Sequence, residues 1–287
     1  MKTLTFFAAA ALLTAPTIEL KTSPKATNAS QATYELTPIP VSAVHHGHSA
    51  APRLRYFEST SGNWSGYGVP LENTVSDTFN QVSGTWTVPS VTGPSGRGTT
   101  YSSVWVGIDG YSSGTVEQIG TEQDWANGKP RNYVWFEMYP NAAFQITGFP
   151  INAGDSISAQ VVYVGETTVQ TGNGKHKSTS QQSVFQLTIL NNTQGASYTV
   201  PASYTTIPTP SRSSAEWIIE APSSGRILPL ANYGTVNFSE CYATGLNGLG
   251  SISAWPADPL TMVDPSGGES DPSALSADGT SFSTTYK

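Results

Sequence analysis

The chain has 287 residues, enough for one large domain or two small ones. Only 11% of them are charged, against about 25% in an average soluble domain. A net charge of −7, with no phosphate loop and no basic stripe, argues against a nucleic-acid partner, and a single cysteine, Cys241, excludes an intrachain disulfide.

Ser, Thr, Asn, Gln and Gly stand where the charges would be. Such a surface changes its charge little as pH falls, which suits a secreted protein in an acidic medium. It is also ordinary for a Thr/Ser-rich secreted β protein. Cys241 lies in the strand-like run TVNFSECYATG and reads as a packed thiol rather than a nucleophile.

The first element, MKTLTFFAAAALLTA, has a lysine and then an apolar run. It is too short to span a bilayer and fits a secretory signal, so residues 1–20 are expected to be a signal peptide. No other stretch could be a transmembrane helix, so an extracellular protein without membrane partners is expected. Residues 21–61 are rich in Pro, Ala, Thr and Ser without periodicity, and read as a propeptide or flexible leader. Within them HHGHS, His45 to Ser49, has no cysteines or carboxylates at ligand spacing, so neither a metal nor a cofactor is expected. Residues 1–62 carry five Lys/Arg against three Asp/Glu, while residues 63–287 carry eight against seventeen. A slightly basic leader on an acidic domain could dock as an inhibitor and leave when the carboxylates neutralise.

From Asn63 onward, short runs of Val, Ile, Thr, Trp and Tyr alternate with Gly, Pro, Ser and Asn. Strands are expected at Thr78–Val88, Ser102–Asp109, Thr115–Gln123, Asn132–Tyr139, Ser156–Gly165 and Val184–Asn191. Further strands are expected at Ser197–Val200, Ala215–Ala221, Thr235–Thr244, Thr261–Val263 and Ser281–Tyr286, with one short helix at Arg226–Tyr233. The pattern predicts an all-β fold, an antiparallel sandwich or barrel, over residues 62–287 as one domain, and a monomer.

Alternation sorts the side chains into faces. In SVWVGIDG, Val104, Val106 and Ile108 share one face, and Trp105 and Asp109 the other. In YVWFEMYP, Val134, Phe136 and Met138 oppose Tyr133, Trp135, Glu137 and Tyr139. Gln118 shares a face with Val116, and Glu117 with Ile119. Glu216 goes with Ile218 and Glu220, opposite Trp217 and Ile219. Large aromatics beside carboxylates suggest a binding cleft, against the blander reading of a solvated face.

Serine and cysteine hydrolase chemistry needs a histidine base, and the only histidine after Asn63 is His176 in the loop-like GNGKHKSTS. No H-E-x-x-H or G-x-S-x-G is present. An aspartic dyad finds only the weak pair IDGY at Asp109 and ADGT at Asp278. Carboxylate chemistry on a sheet remains, from Glu216, Glu137, Asp109 and Glu220, with Glu220 read as a rim charge.

NWSGY at Asn63, GTWTVP at Gly84, VWVGIDG at Val104, QIG at Gln118, VWFEMYP at Val134 and SAEWIIE at Ser214 together resemble the glutamic peptidases, or eqolisins. The resemblance runs from about Asn63 to the end of the chain. It implies a concanavalin/lectin-like sandwich of two curved antiparallel sheets, with the active site on the concave face. It implies a secreted endopeptidase acting on polypeptides through Gln118 and Glu216. Trp105, Asp109, Trp135 and Glu137 would then be substrate-binding residues. Glu216 would be the general base and then acid, its pKa depressed by hydrogen-bond donors, and Gln118 would position water and stabilise the oxyanion. The cysteines of fungal members after the IDG motif are missing from YSSGTVEQ. A glycoside hydrolase using Glu216 and Glu137, and a non-catalytic carbohydrate-binding sandwich, stay open as alternatives.

Overall fold

The computed structural model describes residues 34–39, 59–71, 77–95, 98–171 and 178–287. The signal segment, HHGHS and His176 lie outside these residues. Among the described residues, eighteen strands, numbered in chain order, form two layers. The first layer runs, in spatial order, β1 (Glu35–Pro38), β8 (Phe144–Thr147), β7 (Lys129–Tyr139), β6 (Val116–Ala126), β5 (Ser103–Ile108), β13 (Ser214–Glu220), β3 (Trp64–Pro70) and β16 (Asp258–Val263). A short β2 (Ser59–Ser61) lies parallel to β16. The second layer runs β18 (Phe282–Tyr286), β14 (Thr235–Gly245), β4 (Gln81–Thr87), β9 (Ser156–Thr171) and β10 (Ser178–Asn191). On β10 lie β11 (Ala196–Thr199) and β12 (Thr206–Ile207), and on β14 lies β15 (Gly248–Ser251). The layers meet through β17 (Glu269–Pro272), which pairs with both β16 and β18.

Period-two alternation explains why these runs are strands and where they pack. Val104, Val106, Ile108, Val134, Phe136, Met138, Trp217 and Ile219 all enter the main core between the layers. Val82, Trp86, Ile157, Ala159 and Val161 meet them from the second layer. Burying each such side chain contributes roughly 1.5–3 kcal/mol. Polar tips find partners across the gap. The Trp217 indole donates to the Ser83 carbonyl at 2.8 Å, and Trp86 donates to Thr121 Oγ1 at 3.0 Å. Cys241 is a buried, free thiol in this packing.

The expected helix at Arg226–Tyr233 does not form. Pro229 supplies no N–H, and the neighbouring backbone groups pair sideways instead. Tyr101 N donates to the Pro229 carbonyl at 2.9 Å, and Ala231 N donates to the Tyr101 carbonyl at 2.8 Å. The only helical pieces among the described residues are single 3-10 turns at Ala202–Tyr204 and Ile252–Ala254. Three strands of the first layer, β1, β3 and β8, carry weak alternation and were not expected. No described helix is long and apolar enough to cross a membrane.

Candidate active site

The outer face of the first layer holds a second cluster: Trp64, Trp105, Tyr111, Val116, Tyr133, Trp135, Ile218 and Leu260. Across this face, strand register builds rows. Glu137 pairs with Gln118, Gln118 with Gly107, Gly107 with Glu216, Glu216 with Gly68, and Gly68 with Asp258. Directly paired residues point to the same side of a sheet, so the row presents three carboxyls and one amide. Gln118 and Glu216 are separated by one strand, so their Cα atoms lie roughly 10 Å apart.

Two glycines keep the row open. A Cβ on Gly107 would lie 2.9 Å from the Trp105 ring and 3.1 Å from Cβ of Gln118. On Gly68 it would lie 2.7 Å from the Tyr111 ring. Gln118 Nε2 donates to Glu137 Oε2 at 2.9 Å, which fixes the rotation of the amide. At the far end of the row, the Tyr111 hydroxyl donates to Asp258 Oδ2 at 2.5 Å.

Glu216 is fully buried, and neither carboxylate oxygen has a hydrogen bond of normal geometry among the described residues. Burial pushes its pKa well above the usual carboxylate range, and the nearby charges of Asp109 and Glu117 push the same way, while only Ser214 opposes. The depressed pKa expected from the sequence is therefore not found; burial shifts Glu216 the other way.

Asp109 lies at the edge of this face and looks inward to the chain. It adopts a left-handed backbone, φ 70°, just before Gly110. Its carboxylate accepts from Arg212 N at 2.7 Å, Ser213 N at 2.9 Å, Ser213 Oγ at 3.0 Å and Thr115 Oγ1 at 3.3 Å. Asp109 thus ties down the loop that leads into β13 and Glu216.

The next row along pairs Trp135 with Gly120, Gly120 with Trp105, and Trp105 with Ile218. Trp105 packs edge-on against Trp64 at 4.9 Å and donates to Glu220 Oε2 at 2.8 Å. Asn63 Nδ2 donates to Glu220 Oε1 at 3.1 Å. Glu220 is fully buried, so the rim position expected for it is corrected: the tryptophans bury it and give it donors. Burial holds its pKa high. Trp135 donates to Ser103 Oγ at 2.9 Å. Beyond this row, Glu122 and Asp124 form a buried pair on β6; burial pushes both up, Asp124 to about 6.

The sequence reading sorted Gln118, Glu216, Trp105, Trp135 and Glu137 strand by strand, the resemblance implied a common face, and the register puts them on one side of the layer. That reading missed Tyr111, Asp258 and Trp64. Trp64 lies on β3, whose alternation is weak, Asp258 lies before the expected strand Thr261–Val263, and Tyr111 sits in a turn where no periodicity applies.

No histidine stands among the described residues, and no group of three or more His, Cys, Asp or Glu there could hold a metal. The polar face of this two-layer β-sandwich is built from carboxyls, an amide and tryptophans. Residues 62–286 match the Peptidase A4 family, and the chain belongs to it; it is a glutamic endopeptidase. Aspergillopepsin-2 of Aspergillus niger is 31% identical over 251 residues, covering 80% of this chain and 79% of that one. Scytalidopepsin B of Scytalidium lignicola is 28% identical over 201 residues, covering 65% of each. Scytalido-glutamic peptidase, solved with a transition-state analogue inhibitor, superposes with a TM-score of 0.59 at 25% identity, covering 79% of this chain and 98% of that one.

Proposed function

We propose that this chain is the precursor of a secreted, pepstatin-insensitive acid endopeptidase whose catalytic pair is Glu216 and Gln118. The observation that carries this reading is the pairing of both residues with the single position Gly107. It sets a carboxyl and an amide on either side of a strand that has no side chain between them. A scissile carbonyl and a water held there touch both.

The chemistry balances with these two groups. Ionised Glu216 takes a proton from water as its oxygen attacks the carbonyl carbon. The carbonyl oxygen gains negative charge and is stabilised by the Gln118 amide N–H, whose orientation Glu137 fixes. Glu216 then delivers the proton to the departing nitrogen, and the C–N bond breaks. Trp105 and Trp135 flank the row and hold substrate side chains away from water. Glu137 acts on substrate through Gln118, and Asp109 supports the loop beside the cleft.

Both side chains of the proposed pair are fully buried. Withdrawal of Ile39 from the tryptophan cluster would open the face, and solvation would lower the pKa of Glu216 towards the range where it ionises in acid. On this reading the leader acts as an inhibitor in cis, and residues 1–20 direct export.

The test is digestion of a denatured protein at about pH 3–4, near ordinary carboxylate pKa values, with pepstatin present. Wild type is expected to cleave. Glu216→Gln and Gln118→Ala are expected to lose about 10²-fold or more in rate. Undiminished cleavage by the folded variants would remove the pair.

A further inference from the structure

The segment Tyr34–Ile39 lies outside the family match at residues 62–286, yet it is built as a strand of the catalytic layer. β1 pairs antiparallel with β8, Glu35 opposite Thr147 through Pro38 opposite Phe144. Ile39 N continues the ladder, donating to the Ala143 carbonyl at 2.8 Å. Side chains obey the same two-face rule as the rest of the layer. Tyr34 and Leu36 pack on the main core, with Tyr34 5.3 Å from Phe149 and 5.7 Å from Tyr198 between ring centroids. Thr37 bonds Thr147 on the opposite face at 2.7 Å, and Ile39 packs there against the tryptophan cluster.

Register fixes where this strand ends. Thr37 pairs with Gln145, and Gln145 with Trp135, so Thr37 is level with Trp135. Two residues further on, Ile39 is level with Glu137 and hence with the row holding Gln118 and Glu216. We propose that the edge of β8 covered by β1 is a peptide-docking site, separate from the catalytic pair. It takes an extended polypeptide with large apolar side chains at the Tyr34, Leu36 and Ile39 positions, and its occupant is the chain's own leader strand.

Strand addition explains the choice of ligand. Main-chain hydrogen bonds to an open edge supply affinity for any extended peptide, and alternate side chains supply selectivity. Here two alternate side chains enter the core and the third, Ile39, lands among the tryptophans. The site holds the leader whichever residues perform catalysis, so its test need not read activity.

The experiment is amide hydrogen exchange on the full chain, comparing wild type with the Leu36→Asp/Ile39→Asp variant. By the alternation of an antiparallel ladder, the amides of Gln145 and Thr147 face β1. Their exchange is expected to speed up about tenfold or more in the variant, while β5 and β13 stay protected. A synthetic peptide covering residues 31–42 should restore protection saturably, and the same peptide carrying both substitutions should not. Should the double variant also loosen β5 and β13, Ile39→Ala gives the same reading in smaller measure. Unchanged exchange at Gln145 and Thr147, or equal restoration by the two peptides, would overturn the assignment.

Discussion

Gly107 is the residue on which the proposed pair turns. Its two neighbours across the sheet are Gln118 and Glu216, and its own lack of a side chain leaves the space between them. Adding one carbon forces contacts of 2.9 Å with the Trp105 ring and 3.1 Å with Gln118. Gly107→Ala is therefore expected to lower kcat at least tenfold, because Gln118 and Trp105 must shift. The cost in stability should be only about 1–3 kcal/mol, the usual range for one extra methyl in a packed site. Steady-state kinetics beside a urea melt separates the two. Normal kcat in the variant would show that the gap at Gly107 is not where reaction occurs. Glu216 carries a sign of its own. Burial raises its pKa, and solvation on opening of the face would lower it, so in the working enzyme the ionised base is lost as pH falls through that lowered value. The acid limb of the rate profile should move to lower pH when the Asp109 or Glu117 charge is removed, since both push Glu216 upward.

Strands set the next scale. β13 carries Glu216 and Glu220 on one face and Trp217 and Ile219 on the other, so one rigid element anchors in the core while presenting two acids. Glu220 serves the tryptophans by accepting from Trp105 and from Asn63, which precedes β3. Truncating it strands two buried donors, at roughly 1–3 kcal/mol each. Glu220→Ala is expected to cost about 2–5 kcal/mol in a denaturant melt, and Glu220→Gln clearly less, because glutamine keeps one acceptor oxygen. Equal losses for the two variants would mean that volume, not hydrogen bonding, is what Glu220 supplies. β13 and β5 were legible in the sequence because hydrophobic and polar residues alternate cleanly in them. β1 and β8 were not, because four-residue strands at an edge hold too few periods to stand out, and a leader rich in Pro and Thr masks the pattern.

At the scale of the whole molecule, buried acids make stability depend on pH. Glu117, Glu122, Glu216 and Glu220 all have pKa values pushed well up by burial, and Asp124 is pushed up to about 6. Between the ordinary value and the raised one, the folded state holds a proton that the unfolded state has lost. Stability then falls as pH rises through that window and is fully present below it. Asp124 alone, moving from 3.8 to about 6, accounts for roughly 3 kcal/mol. The thermal midpoint is expected to be higher at pH 3.5 than at pH 7.5, the reverse of most proteins with paired carboxylates. A higher midpoint at neutral pH would show that these acids are ionised and solvated in the folded chain.

Composition, alternation and motif order by themselves determined an all-β chain, the face carrying Gln118, Trp105, Trp135, Glu137 and Glu216, and the absence of a histidine base after Asn63 other than His176. Those properties are local, because a strand's period assigns each side chain to a face without reference to any partner. Which residues meet was decided only by the fold. Register between strands far apart in the chain put Gln118 and Glu216 around Gly107, turned Asp109 onto the Arg212–Ser213 loop, and buried Glu220 under Trp105. Burial likewise reversed the expected direction of the Glu216 pKa, because desolvation is a property of everything packed around a group and not of its neighbours in sequence.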